Sequence, residues 1–393
     1  MPHFDTTRSR AYLLAAMSAC LSCAAPGGLE VGGLSQPVLY GADGRVEVED
    51  LPDAALRAIA DSAVVAILPR SLLQKEGKVV KLAAPSLGDD QNLCPNERFA
   101  DQPAAAACSG VLLGPQLVLT AGHCARRLPC DEIAFVFGYQ LEHGAVRTRF
   151  DAEDVYGCDE VVERQLSLPG EADRTDFAWV RLDRDAGSHA HPIALRDASS
   201  PLADGEAITV IGHGSGLPRK AVLGGHVADP RAATSDYFIS TSDTFHGDSG
   251  APVFDEQRRL IGIQVRGNED YVPTANGCNA LARLPDDDAH AGEQNTHISR
   301  ALEGLCADHP DEAPCCEGDE CEAAPSQHAG TCSFSPAPGA HPSWCVLLWF
   351  AAVALARTLR ATGSCRRSGS ARSSSSTSRR RRPRGCVPHR SST

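Results

Sequence analysis

From residue 61 onward the chain alternates short apolar runs with polar breaks. Val64–Leu68, Val111–Leu119, Ile133–Phe137, Phe177–Leu182, Ala207–Ile211 and Leu260–Val265 are rich in Val, Ile and Leu and separated by Gly, Pro and Asp. Runs of this length and composition predict β-strands joined by turns. No long helical period interrupts them. One helix is predicted over Ile298–Leu305, with Ser299 placed to cap it. A strand-rich stretch over 61–305 suits an all-β barrel or a pair of barrels. Residues 26–60 are rich in Gly, Pro and Ala with little period, and are expected to be a leader or pro-segment.

Past Leu305 the pattern changes. Residues 306–332 carry five cysteines and seven acids but few large apolar groups, and with the Pro-rich Ser333–Ser343 they predict a disulfide-tied stalk over 306–343. The apolar stretch 344–356 is short for a bilayer about 30 Å thick. Residues 357–393 are Arg- and Ser-rich, and such a low-complexity composition predicts disorder. At the other end, Arg8 and Arg10 precede the apolar run Ala11–Ala19 and small residues up to Ala25, the pattern of an export signal over 1–25.

The formal charge of −13 conceals an asymmetry: 357–393 holds eleven Arg and no acid, leaving residues 1–356 at −24. That acidity argues against a nucleic-acid partner. Sixteen cysteines in an exported chain favour disulfides over thiolate metal sites. Cys124 with Cys130, and Cys315-Cys316 with Cys321, lack the paired CxxC spacing of zinc. No metal and no cofactor is expected, and a monomer is.

The chemistry concentrates in two places, His246-Gly247-Asp248-Ser249-Gly250-Ala251-Pro252 and Ala121-Gly122-His123-Cys124. A serine hydroxyl needs an imidazole to take its proton and N–H groups aimed at the oxyanion that forms on attack. A Gly-Asp-Ser-Gly turn can supply the N–H groups, because glycine lets the backbone curl. Two other segments carry no such assignment. Gly212-His213-Gly214-Ser215-Gly216 lacks the spacing of a phosphate loop and predicts a turn. Asp286-Asp287-Asp288 lacks the Gly and Glu of a calcium loop and predicts a solvated one.

The segment from Cys108-Ser109-Gly110 through Leu117 to Cys124 resembles the histidine segment of trypsin-like serine peptidases. The resemblance covers about residues 61–305. Gly250-Ala251-Pro252-Val253-Phe254 and the few internal cysteines look more like the bacterial trypsin-like and V8-like members. It implies two six-stranded antiparallel β-barrels of the chymotrypsin-like kind with a short C-terminal helix, followed by a largely disordered tail. It also implies a Cys108–Cys124 disulfide, His123 as base and Ser249 as nucleophile, with the N–H groups of Gly247 and Ser249 as oxyanion hole. Asp176, opening the apolar strand Phe177–Leu182, matches the family's orienting acid, whereas Asp151, Asp154, Asp159, Asp173 and Asp183 open no such strand. The order His, Asp, Ser is that of the double barrel. Val31-Gly32-Gly33 lies too far ahead of Cys108 to give an activated N-terminus, so Asp248 is expected to pair with an internal cation or backbone donors.

Specificity is less legible. Asp243, six residues before the nucleophile, matches the position that selects Arg or Lys. Phe245 replaces the cysteine that braces that pocket. Gln264 stands where V8-like enzymes carry a glutamate-reading histidine, and Arg266 falls on the pocket wall, where it could neutralise Asp243. Met17-Ser18-Ala19-Cys20 resembles a bacterial lipobox, with plain cleavage near Ala24 or Ala25 as the alternative. Cys332, the 344–356 stretch and the arginines after it resemble a C-terminal sorting tail, with a weak membrane stop or a patch in a disordered tail as alternatives. The expectation is therefore a serine endopeptidase acting on proteins or peptides, secreted or held at the bacterial surface or outer membrane through Cys20, Cys332 or the 344–356 stretch. The alternative is a catalytically silent binding or adhesion protein of the same fold.

Overall fold

The computed structural model describes residues 39–315 apart from 168–173, 190, 232–235 and 286. The expected signal, Cys20, Cys332, the 344–356 stretch and the Arg/Ser-rich tail lie outside the described residues.

Six strands form the first barrel: β1 (Val64–Pro69), β2 (Cys108–Leu112), β3 (Leu117–Thr120), β4 (Ile133–Phe137), β5 (Val155–Leu166) and β6 (Asp176–Leu182). Their order is β5-β6-β3-β2-β1-β4, all pairs are antiparallel, and the β4–β5 pair closes the ring. The predicted Val111–Leu119 run is two strands with a turn between them. The second barrel holds β7 (Ala207–Gly212), β8 (Lys220–Asp229), β9 (Tyr237–Ser240), β10 (Pro252–Asp255), β11 (Leu260–Arg266) and β12 (Glu293–His297). Here the order is β7-β10-β11-β12-β9-β8, closed by β7–β8. The two six-stranded antiparallel barrels are those of the chymotrypsin-like fold.

Buried apolar side chains fill the barrels and join them, the larger cluster also taking in Phe254, Ile263 and Val265 of the second barrel. Val65, Val111, Leu119, Phe135, Phe137 and Trp179 are among the first core, and Val210, Val222, Phe238, Val253 and Ile261 among the second. Burying a side chain of this size contributes roughly 1.5–3 kcal/mol.

Three helices bear on the site. Helix α1 (Ala54–Ala63) was not apparent in the sequence. Asp53 caps it by accepting from the N–H groups of Ala55 and Leu56, and Leu56, Ala60 and Ala63 face the core. The short α2 (Gly122–Arg127) follows β3. The predicted C-terminal helix is α3 (Ile298–Asp308), which runs three residues into the expected stalk. Its N-cap is His297 rather than Ser299, and no side chain caps it, because β12 runs directly into the first turn. Trp179 Nε1 donates to Ala301 O at 2.9 Å, which holds α3 on the first barrel.

Residues 39–60 are part of this fold. Leu39–Tyr40 pairs in parallel with Arg283–Leu284, and Arg45–Glu47 adds a strand to β8. Leu39, Val48 and Leu51 are buried. Among the described residues, disulfides join Cys94–Cys278, Cys108–Cys124, Cys130–Cys158 and Cys306–Cys315. No helix among the described residues is long and apolar enough to cross a membrane.

Cys94–Cys278 spans 184 positions and Cys306–Cys315 only nine. In the chain-entropy model these closures contribute about 5 and about 3 kcal/mol. Serine replacement of the first pair is therefore expected to lower the denaturant midpoint more than replacement of the second. The reverse order would mean that native contacts, not loop closure, set their worth.

Candidate active site

His123 is delivered by close backbone packing. β3 ends at Thr120 and the chain turns at Gly122, where a Cβ would lie 2.8 Å from Phe177 O and 3.1 Å from Phe177 N. Glycine alone lets this turn press on the start of β6. There the His123 N–H donates to Asp176 Oδ1 at 3.0 Å, and His123 Nδ1 meets Asp176 Oδ2 at 2.9 Å. Asp176 is 1% exposed. A carboxylate at Nδ1 keeps the proton there and leaves the Nε2 lone pair facing outward. His123 Nε2 lies 2.9 Å from Ser249 Oγ. Among the described rivals of Asp176, Asp154 pairs with Arg147 and His189, and Asp183 with Arg184.

Ser249 sits on a tight turn between β9 and β10, stitched to both barrels. Its carbonyl accepts from the Ser109 N–H of β2 at 2.8 Å, and the Gly250 N–H donates to Gln264 O of β11 at 2.6 Å. Gly250 has φ +88° and a Cβ there would lie 3.0 Å from Ala121 N. The N–H groups of Asp248, Gly250 and Ala251 all have backbone acceptors. Those of Gly247 and Ser249 have none among the described residues. The His246 carbonyl accepts from the Ser215 N–H. Because the peptide is planar and trans, this aims the Gly247 N–H the opposite way.

Asp248 is buried and accepts the N–H groups of Phe245 and Gly214. Burial pushes its carboxyl up to about 6, with those backbone bonds acting against it. Of the two expected kinds of partner, the structure supplies backbone donors. The Gly212–Gly216 turn thus has a role the sequence did not reveal, presenting Gly214 to Asp248 and Ser215 to His246. Its His213 is buried, with Nδ1 3.0 Å from Leu217 O. Burial holds that imidazole down to about 3.

The three residues expected to line the substrate pocket have separate partners. Asp243 is buried, its two carboxylate oxygens accept the N–H groups of Tyr40 and Gly44 at 2.7 Å each, and burial pushes it up to about 6. Gln264 Nε2 donates to Glu293 Oε2 at 2.8 Å and to Arg266 O at 2.9 Å. Glu293 is fully buried and also accepts from Thr244 Oγ1, and burial raises its carboxyl well above the usual range. Arg266 pairs with Asp176, not with Asp243: its Nη2 lies 3.1 Å from Asp176 Oδ2. Phe245 packs with Leu39, Leu281 and Tyr271 under the Arg45 guanidinium. Sequence reasoning missed Glu293 and the 39–45 strap, whose residues carry no motif.

Residues 108–263 match the family model described as a trypsin-like peptidase domain, a span containing His123, Asp176 and Ser249. The match covers 156 of the 393 residues and makes this stretch similar to a trypsin-like peptidase domain. No curated protein gives a match. Among solved structures, a Glu endopeptidase is similar at 16% identity, covering 67% of this chain and 96% of its own, with a TM-score of 0.39. An inactive-form serine-to-alanine mutant of Rv3671c from M. tuberculosis is similar at 11% identity, with 69% and 96% covered and a TM-score of 0.37. The Rv3671c protease in its inactive form gives 14%, 65%, 96% and 0.36.

Asp270 holds the same loop from outside, its Oδ2 accepting the His246 N–H at 2.8 Å. Burial pushes its carboxyl from 3.8 up to about 7. The folded chain therefore binds an extra proton between these values, and Asp270 subtracts stability as pH rises through that window. Asp270→Asn keeps an acceptor and removes the charge. Its Tm relative to the parent is expected to rise by several degrees between about pH 5 and pH 8. A difference that is flat across that range would show that Asp270 does not titrate there.

Proposed function

We propose that the protein is an exported serine endopeptidase that hydrolyses peptide bonds through an acyl-enzyme. The observation that carries this reading is His123 held between Asp176 and Ser249 by contacts of 2.9 Å on each side. In the proposed reaction His123 Nε2 takes the Ser249 proton as Oγ attacks the scissile carbonyl. Asp176 stabilises the imidazolium, and the unspent N–H groups of Gly247 and Ser249 receive the oxyanion. His123 then protonates the leaving amine, and water repeats the sequence on the acyl-enzyme.

Four disulfides among the described residues support an extracellular setting, since cytosolic thiols stay reduced. Export through the 1–25 signal and anchoring at Cys20 or Cys332 belong to the same proposal, and mass spectrometry of the mature termini tests them. A preference for Arg or Lys at P1 is not part of it, because both Asp243 oxygens are already engaged by the 39–44 backbone.

The rival is a silent binding protein of the same fold. A fluorophosphonate probe is expected to label the wild-type chain and not Ser249→Ala, whose turnover of casein falls by a factor of order 10⁶. Folded wild type that takes no label would sink the hydrolase reading. Gly247 has φ +103°, and a Cβ there would lie 2.5 Å from His213 O. Gly247→Ala should move the oxyanion donor, lowering kcat by roughly 10²–10³. Retained activity would remove Gly247 from that role.

A further inference from the structure

We infer that Arg266 is a positioning residue of the triad, a cation that fixes Asp176 and extends the work of His123 to lower pH; this rests on the peptidase reading above. The geometry that points to this lies in β11. Its pairing with β12 runs Gln264 to Asn295 and then Arg266 to Gln294, a register shift that places an extra residue between them. A bulge of this kind re-aims the side chain that follows. Gln264 Nε2 holds the bulge by donating to Arg266 O. The re-aimed guanidinium is fixed at two points, with Nη1 donating to Arg174 O at 3.0 Å and Nη2 lying 3.1 Å from Asp176 Oδ2. The same Oδ2 takes His123 Nδ1, and Oδ1 takes the His123 N–H. Asp176 is thus held from two sides, by the base and by Arg266.

The charge has a direction. A guanidinium beside Asp176 opposes a second positive charge on the neighbouring imidazole, which is the source of the proposed low-pH effect. Other charged groups sit on the elements packed around this pair. His246 lies on the nucleophile loop, and its imidazole is held below its usual value by burial and by Arg127 and His123. Arg127 and Arg126 come from α2. Beyond Arg174, Asp236 accepts from Thr175 Oγ1 and pairs with Arg300 of α3.

The test is the pH dependence of the second-order rate of fluorophosphonate labelling, which needs no knowledge of P1, on the full chain as wild type, Arg266→Met and Arg266→Lys. The acidic limb of Arg266→Met is expected to move up by about 0.5–1 unit. Labelling at about pH 5.5 then falls by about 3- to 10-fold, with a much smaller change near pH 8.5. Arg266→Lys should restore most of the limb, and KM for labelled casein should be unchanged. A limb that stays in place, or a rate that drops equally at every pH, would overturn the inference, as would a changed KM with an unmoved limb. Circular dichroism of each variant separates misfolding from these outcomes. Wild type that takes no label is failure of the peptidase reading itself, whereas active wild type with an unmoved limb is failure of this inference alone.

Discussion

Ser109 is the point on which the arrangement of the two barrels depends. It is wholly buried on β2. Its N–H donates to the Ser249 carbonyl, its hydroxyl donates to the Gly247 carbonyl at 2.8 Å, and the same oxygen accepts the His213 N–H at 2.9 Å. One side chain thus ties the first barrel to the nucleophile turn and to the Gly212–Gly216 turn. A buried hydroxyl must satisfy both its donor and its acceptor capacity, so each of the three segments constrains the other two. The strand beside β2 is β3, which carries the chain to His123. His123 and Ser249 therefore take their positions from two neighbouring strands, and the distance between them is set by barrel geometry rather than by loop conformation.

The Ser249 loop is held by main-chain donors to two buried acids and one half-buried one. Asp243 takes N–H groups from Tyr40 and Gly44, Asp248 from Phe245 and Gly214, and Asp270 from His246. Burial raises all three carboxyls, so each bond works against desolvation. Backbone donors cannot titrate or swing away as a lysine can. The strap over 39–45 is consequently part of the loop's support, with Leu39 against Phe245 and Arg45 stacked on the same ring. Asp248 is satisfied without a free amino terminus.

The sequence was most informative where a property is local. Apolar runs marked β1, β4, β6 and β11 within a few residues, because a strand buried on both faces reads as a continuous apolar stretch. The resemblance to trypsin-like serine peptidases pointed to His123, Asp176 and Ser249, which the fold brings within hydrogen-bond reach of one another. Helix α1 escaped notice because its apolar face is made of Leu56, Ala60 and Ala63, and alanine gives a faint periodicity. The partners of Asp243 are some 200 positions away in a stretch without pattern. The pairing of Cys94 with Cys278 depends on the same distant packing. Arg266 was placed on the pocket wall by its position along β11, and a single bulge turned it elsewhere. Register irregularities leave no trace in a list of residue types.

That displacement resolves a problem at Asp176. A carboxylate with 1% of its surface exposed loses most of its hydration. Hydrogen bonds from His123 and its backbone lessen the penalty but bring no opposite charge. Arg266 brings one, and it is itself partly exposed, so its own desolvation is modest. In the proposed reaction His123 takes the serine proton, and the imidazolium becomes a second cation on the same carboxylate. The stabilisation Asp176 offers is then divided between a permanent partner and a transient one. A site built this way gives its buried acid an opposite charge at rest, at the expense of some of its pull on the imidazolium of the proposed reaction.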